Sequence, residues 1–213
     1  MPEEFRGESS VLAAAEFGDK LVFPPSMDVT AHSITLISII IGLGLTELLL
    51  NLNTLIRERA RVRWDPLPLL WTANVFFVLL NYWWAVVRGL DGSRLARTAA
   101  DFGLLLIHPL LLFLLCASVL PRVQATEVFE MRSAYVRDRK TFFTVFALYL
   151  LGNWVLALVM NASLGWNILT IQRALVSVLI VSLLVTNRRS WDWLVAVGVM
   201  VSAIVVIGRQ AIR

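Results

Sequence analysis

Charged residues are scarce in this chain, and most of them lie outside long apolar runs. Only 16% of the 213 residues are charged, whereas 58% are hydrophobic and the mean hydropathy is +0.75. Soluble domains carry about 25% charged residues. The composition therefore predicts a membrane protein with no room for a soluble catalytic domain. The net charge of +4 comes from loop arginines, so no nucleic-acid partner is predicted.

Residues that commonly hold cofactors are also few. The single Cys116 excludes an intrachain disulfide, and we interpret it as a small apolar packing residue. The two histidines, His32 and His108, differ in predicted depth by about 12 Å, which argues against a shared metal or haem. No HExxH, GxSxG, CxxC or Walker pattern occurs. We predict no cofactor; the alternative is a haem or pigment contact made by His108 alone.

Long apolar runs are abundant instead. About 20 apolar residues in a helix cross a bilayer core of about 30 Å. Six blocks qualify: about 31–56, 67–88, 100–120, 142–162, 166–187 and 191–208. The predicted fold class is all-α, a polytopic membrane protein with a six-transmembrane-helix bundle over residues 31–213.

Two segments are predicted to lie outside the spans. Residues 1–30 form an N-terminal extramembrane segment, with either a short surface helix over residues 11–23 or no regular structure. The acidic N-terminus does not resemble a cleaved signal peptide. The loop over residues 121–141 is either an interfacial helix near anionic headgroups or a solvated linker.

Basic residues predict the orientation. The first, third and fifth connections between spans carry eleven lysines and arginines, against seven at the opposite end. Because basic loops stay in the cytoplasm, both termini are predicted outside, with a bacterial inner membrane as the expected location. The predicted partners are membrane lipids, and also other membrane subunits or further copies of the chain.

Two helix starts resemble each other. Asp65 and Pro66 supply an N-cap and a first-turn proline for the second span, and Ser190 or Asp192 can cap the sixth. Either a helical hairpin is duplicated, or similar interface chemistry recurs at helix starts.

Glu47 is the most informative residue, because it interrupts an apolar run from Ile34 to Ile56. A carboxylate at that depth is costly unless it is paired, protonated or facing a polar interior. Glu47 shares a stripe with Gly44, Asn51 and Thr54. A neighbouring stripe of small residues predicts close helix packing; it comprises Ser38, Gly42 and Thr46.

Polar side chains of four other spans reach one level. Counting about 1.5 Å per residue places His108, Arg173, Asn81 and Asn153 roughly 20–22 Å above the inner interface, and Glu47 about one turn lower. The predicted binding or coupling site comprises Glu47, His108, Arg173, Asn81, Asn153, Asn51 and Asn74.

The roles in this site follow from chemistry. Arg173 stays cationic and can hold an anion or the Glu47 carboxylate, whereas His108 and Glu47 can exchange protons. Pro109 loosens the backbone beside His108. The alternative is structural: membrane asparagines commonly bond helices together, and a Glu47–Arg173 pair can simply neutralise itself.

Three functional classes remain open. The first is a small transporter or proton-coupled permease with a mid-membrane polar site. The second is an accessory or structural subunit of a larger membrane complex, in which the polar layer holds helices together. The third is an intramembrane enzyme acting on a lipid-like substrate, for which the sequence offers no nucleophile or metal set, so an enzyme is not favoured.

Overall fold

Helices make up most of the structure, a computed structural model that describes residues 29–89, 99–121, 129–159 and 168–211. The helices are α1 Val29–Arg57, α2 Pro66–Gly89, α3 Ala99–Val119, α4 Met131–Val159, α5 Ile168–Val185 and α6 Arg189–Ala211. The predicted all-α class is therefore confirmed. Residues 1–28 of the predicted N-terminal segment, with its expected surface helix, and residues 122–128 of the predicted loop lie outside the described residues.

Three stretches are long and apolar enough to cross a membrane. Within the described residues they are Ser33–Arg57, Pro66–Val87 and Met131–Leu158, which lie in α1, α2 and α4. Leu105–Val119 and Thr170–Val185 are shorter apolar stretches in α3 and α5. This supports a membrane location and matches the first, second and fourth predicted spans.

The helices pack in an order that differs from their order along the chain. The most extensive contacts pair α1 with α3, α3 with α4, and α2 with α6, while α5 lies against α4 and α6. On α2, Trp71 meets the rings of Phe142, Phe143 and Phe146 edge-on, with centroid separations of 5.7, 5.1 and 6.1 Å. This aromatic cluster places α2 near the centre of the bundle.

The glycine at which α1 packs closely against α3 is Gly44, whereas the sequence predicted Gly42. Gly42 is exposed and has open space beside it. Gly44 is buried, and a Cβ there would lie 3.5 Å from Cys116 Sγ and 3.6 Å from the Phe113 Cα of α3. The predicted close packing through Gly42 is therefore wrong, because Gly44 and not Gly42 lies against α3.

The first, third and fifth connections meet at one end of the bundle. Two short strands, β1 (Val62–Arg63) and β2 (Phe129–Glu130), pair in parallel and join the first connection to the third. Arg189, at the start of α6, binds Asp65, just before α2. We call residues 57–66, 129–140 and 186–192 the basic end. It holds most of the arginines on which the orientation prediction depends.

Helix α4 begins at Met131, eleven residues before the predicted span. The reason is that its first two turns are amphipathic: Met131, Ala134 and Tyr135 are buried, whereas Arg132 and Arg137 are exposed. The charged residues there do not interrupt the helix. Residues 131–141 therefore belong to the bundle and are neither a linker nor a separate interfacial helix.

Candidate functional site

A buried aromatic group surrounds His108 in the middle of the bundle. The His108 ring stacks on Tyr149 of α4, with centroids 4.6 Å apart and planes 28° apart. Tyr82 of α2 also lies against the ring, with centroids 5.0 Å apart and planes 51° apart. All three side chains are buried, at 2% exposure for His108, 8% for Tyr82 and 4% for Tyr149. We call these three residues the histidine cluster.

Two polar atoms of the histidine cluster lack partners. Among the described residues, neither His108 Nδ1 nor the Tyr82 hydroxyl makes a hydrogen bond. Nδ1 points at Gly152, where a Cβ would lie only 2.9 Å away. Glycine at this position thus lets α4 approach the ring closely. Pro109 lies inside α3 and removes one backbone donor, which frees the carbonyl one turn earlier.

Arg173 lies beside the histidine cluster, at the contact between α4 and α5. Its guanidinium carbon is 5.7 Å from the centre of the Trp154 ring, a cation–π distance. The Trp154 indole donates to the Ser177 hydroxyl at 3.1 Å, and that hydroxyl donates to the Arg173 carbonyl at 2.8 Å.

These contacts bring four helices together at one level. The level includes position 82 of α2, 108 of α3, 149–154 of α4 and 173 of α5. Tyr82 and Tyr149 make the described contacts to His108 that join α2, α3 and α4 at this level. Asn81 and Asn153, which the sequence singled out, are half-buried neighbours of Tyr82 and Trp154. The predicted site included neither tyrosine, because a tyrosine among apolar residues also fits ordinary packing.

Glu47, Asn51 and Asn74 make hydrogen bonds outside the histidine cluster. Glu47 Oε1 accepts a hydrogen bond from Asn51 Nδ2 at 3.3 Å, within α1, and both residues are half-buried. Asn74 is fully buried and donates to the Ala196 carbonyl at 3.0 Å, which joins α2 to α6. Asn74 thus makes the interhelical bond that the structural alternative predicts for a membrane asparagine.

A second polar group, at the basic end, was not predicted as a site. Arg139 of α4 holds Asp192 of α6 through two hydrogen bonds, at 2.9 and 2.7 Å. Tyr135 donates to the same carboxylate at 3.1 Å. The Arg139 and Asp192 side chains are only 7% and 4% exposed. This buried ion pair fastens α4 to α6.

The two acids at the resembling helix starts have different roles. Asp65 accepts from the Leu67 amide at 3.1 Å and caps α2 as predicted, while Arg189 binds both of its oxygens. The predicted cap at Ser190 or Asp192 is wrong: α6 begins at Arg189, and the Asp192 carboxylate is occupied by Arg139 and Tyr135. The sequence contains one signal for these ion pairs. At the starts of both α2 and α6, an acidic residue and an arginine lie beside a tryptophan.

Neither a metal site nor a similar protein indicates a function for this site. Within the described part of the chain, no group of three or more histidine, cysteine or acidic residues is arranged to hold a metal ion. The contact of His108 to a haem or pigment stays a prediction. Comparison of the chain with protein-family models, curated proteins and solved structures gives no match. The site must therefore be interpreted from its own geometry.

Proposed function

We propose that this protein is a small transporter or proton-coupled permease whose six helices cross a bacterial inner membrane. The basic end faces the cytoplasm and both termini face outward, as the distribution of arginines favours. Three apolar stretches of sufficient length support the membrane location. The transport site is the histidine cluster together with Arg173.

The observation that carries this proposal is the pair of unpartnered atoms in the histidine cluster. His108 Nδ1 and the Tyr82 hydroxyl are buried and make no hydrogen bond with the described residues. A buried polar group without a partner costs about 1–3 kcal/mol. A proton-carrying water or a small polar solute would remove that cost once α4 moves away from Nδ1 and admits it between the helices. Arg173, the nearby cation, favours an anionic solute.

Glu47 supplies the coupling group in this proposal. It lies in the apolar stretch of α1, and Asn51 supports its carboxylate from one turn away. A carboxylate at this depth can alternate between a protonated and an ionised state, as coupling groups in membrane transport do. The flux of such a protein is expected to fall when Glu47 is replaced by Gln, because the amide cannot carry the proton.

Water access to the histidine cluster tests the proposal. In a Cys116→Ala background, the variants His108→Cys and Ile107→Cys are treated in membranes with a charged, impermeant thiol reagent. These adjacent positions have nearly the same depth, but Ile107 is 54% exposed on the bundle's outer face, towards lipid. We expect modification at 108 and none at 107, because the reagent needs a water-filled path.

A sealed site would contradict transport. If His108→Cys and Tyr82→Cys both stay unmodified from either side of the membrane while the proteins remain folded, no solute path reaches the cluster. That result would favour the accessory-subunit alternative, in which the polar contacts only join helices. Such a subunit should also co-purify with a larger complex and tolerate Glu47→Gln.

A further inference from the structure

The basic end contains a pocket that is separate from the histidine cluster. It has a volume of about 610 Å³ and lies between the first turns of α4 and the turn that joins α5 to α6. Ligand pockets typically measure about 300–1,000 Å³. Its charged lining consists of Arg132, Arg137, Arg139, Lys140, Arg189 and Asp192.

Most of these charges are already compensated. Asp192 is held by Arg139, whose remaining donors bind the Asn187 side chain and the Thr186 carbonyl. Arg189 binds Asp65, and the exposed Arg137 binds Asp138. Asp192 is the one acid among the described lining residues, and Arg139 already holds its carboxylate.

Two cations remain uncompensated. Arg132 and Lys140 line the pocket from one side of α4, and neither makes an ion pair within the described residues. They are separated by about 12 Å along the helix, and their long side chains can converge over the space between them. The pocket therefore carries an excess of positive charge.

The pocket wall also supplies fixed hydrogen-bond donors. Asn187 accepts from Arg139 through Oδ1, so its amide NH₂ group is left to donate. Arg189 uses one terminal nitrogen on Asp65, and its guanidinium retains other N–H groups. Directional donors beside two cations match the several acceptor oxygens of a phosphate.

We propose that this pocket binds an anionic phosphate group, held by Arg132 and Lys140 and oriented by Asn187 and Arg189. The group belongs either to the headgroup of an anionic phospholipid or to a water-soluble phosphate. The position of the pocket, at the end of the apolar stretch of α4, gives it access to both sources.

The test compares two double variants of the full-length protein. Arg132→Gln with Lys140→Gln removes both uncompensated cations. Arg59→Gln with Arg63→Gln removes the same charge from exposed positions of the basic end that do not line the pocket. Arg132 and Lys140 are exposed, so their replacement should leave the fold intact, which the thermal unfolding midpoint checks.

Two measurements distinguish a phospholipid headgroup from a water-soluble phosphate. The affinity for inorganic phosphate is measured in an uncharged detergent at constant ionic strength. The retention of phosphatidylglycerol is measured by native mass spectrometry, after extraction from phosphatidylcholine nanodiscs that contain it. Phosphate binding without lipid retention assigns the pocket to a soluble phosphate, and lipid retention that phosphate does not displace assigns it to a headgroup.

The pocket variant is expected to weaken whichever binding occurs by about tenfold, the effect of losing one charge-assisted hydrogen bond. The surface variant should change it by less than about threefold. Equal losses in both variants would show a general charge effect, and that result overturns the proposal. Absence of both phosphate binding and lipid retention in the unmodified protein overturns it as well. If the double variant does not fold, the Arg132→Gln and Lys140→Gln single variants replace it.

Discussion

Gly152 shows how one small residue controls the histidine cluster. A Cβ at this position would lie 2.9 Å from His108 Nδ1, and the His108 ring cannot easily retreat because Tyr82 and Tyr149 lie against it. Three residues, Gly152, Tyr82 and Tyr149, therefore restrict the position of the ring. A side chain held in this way can present its unpartnered nitrogen in a reproducible geometry.

Gly152→Ala is expected to destabilise the protein by about 1–3 kcal/mol, because overpacking forces the His108 ring or α4 to shift. Thermal unfolding in detergent measures the change. Gly198→Ala is the control, since nothing lies within 4 Å of a Cβ there. It should be neutral or slightly stabilising through helix propensity. Adding His108→Ala to Gly152→Ala should recover part of the loss; an undiminished loss would mean that the ring is not the obstacle.

Asp192 illustrates the opposite case, a residue whose partner is distant in the chain. Replacing it by Ala leaves the Arg139 guanidinium buried without its carboxylate, and breaking a buried pair costs about 3–5 kcal/mol. The free energy of unfolding measures the loss. Asp138→Ala removes an exposed pair, with side chains 72% and 43% exposed, and should cost less than about 1 kcal/mol. Similar costs for the two variants would contradict a structural role of the buried pair.

At the scale of elements, α4 departs most from the sequence prediction. Its first two turns contain several charged residues, so a hydropathy count places them in a loop. They are helical because their apolar side packs into the bundle and Arg139 reaches Asp192. The apolar stretches of α1 and α2, by contrast, begin and end close to the predicted bounds, because composition changes sharply there.

A proline scan tests the early start of α4. Arg137→Pro should destabilise the protein by about 3 kcal/mol or more, since position 137 lies inside the helix, where proline removes a hydrogen bond and clashes with the preceding turn. Ser133→Pro lies in the first turn, where the amide has no helical partner, and should be tolerated. Circular dichroism and thermal unfolding report both changes. If Arg137→Pro were tolerated as well, residues 131–140 would behave as a linker.

At the scale of the whole molecule, the odd-numbered connections meet at the basic end. The β1–β2 pairing and the Asp65–Arg189 ion pair join them across large separations in the chain. Consecutive helices therefore alternate in direction. This arrangement agrees with the alternation that the counting of basic residues assumes, while the side of the membrane stays a prediction.

Reporter fusions determine on which side of the membrane the basic end lies. Alkaline phosphatase fused after Arg213 should be active, because the C-terminus is predicted outside, whereas green fluorescent protein at that position should stay dark. Fusions truncated after Arg61, at the basic end, should give the reverse pattern. Fluorescence at the C-terminal fusion together with phosphatase activity after Arg61 would invert the orientation.

The sequence by itself determined the properties that depend on local composition. These are the helical class, the apolar stretches of α1 and α2, the Asp65 cap and the gathering of arginines in alternate connections. The tertiary structure alone decided which faces meet. Because lipid and the bundle interior are both apolar, hydrophobic periodicity does not identify the inward face of a membrane helix. Only packing could therefore place Tyr82 and Tyr149 around His108 and bring Arg139 to Asp192.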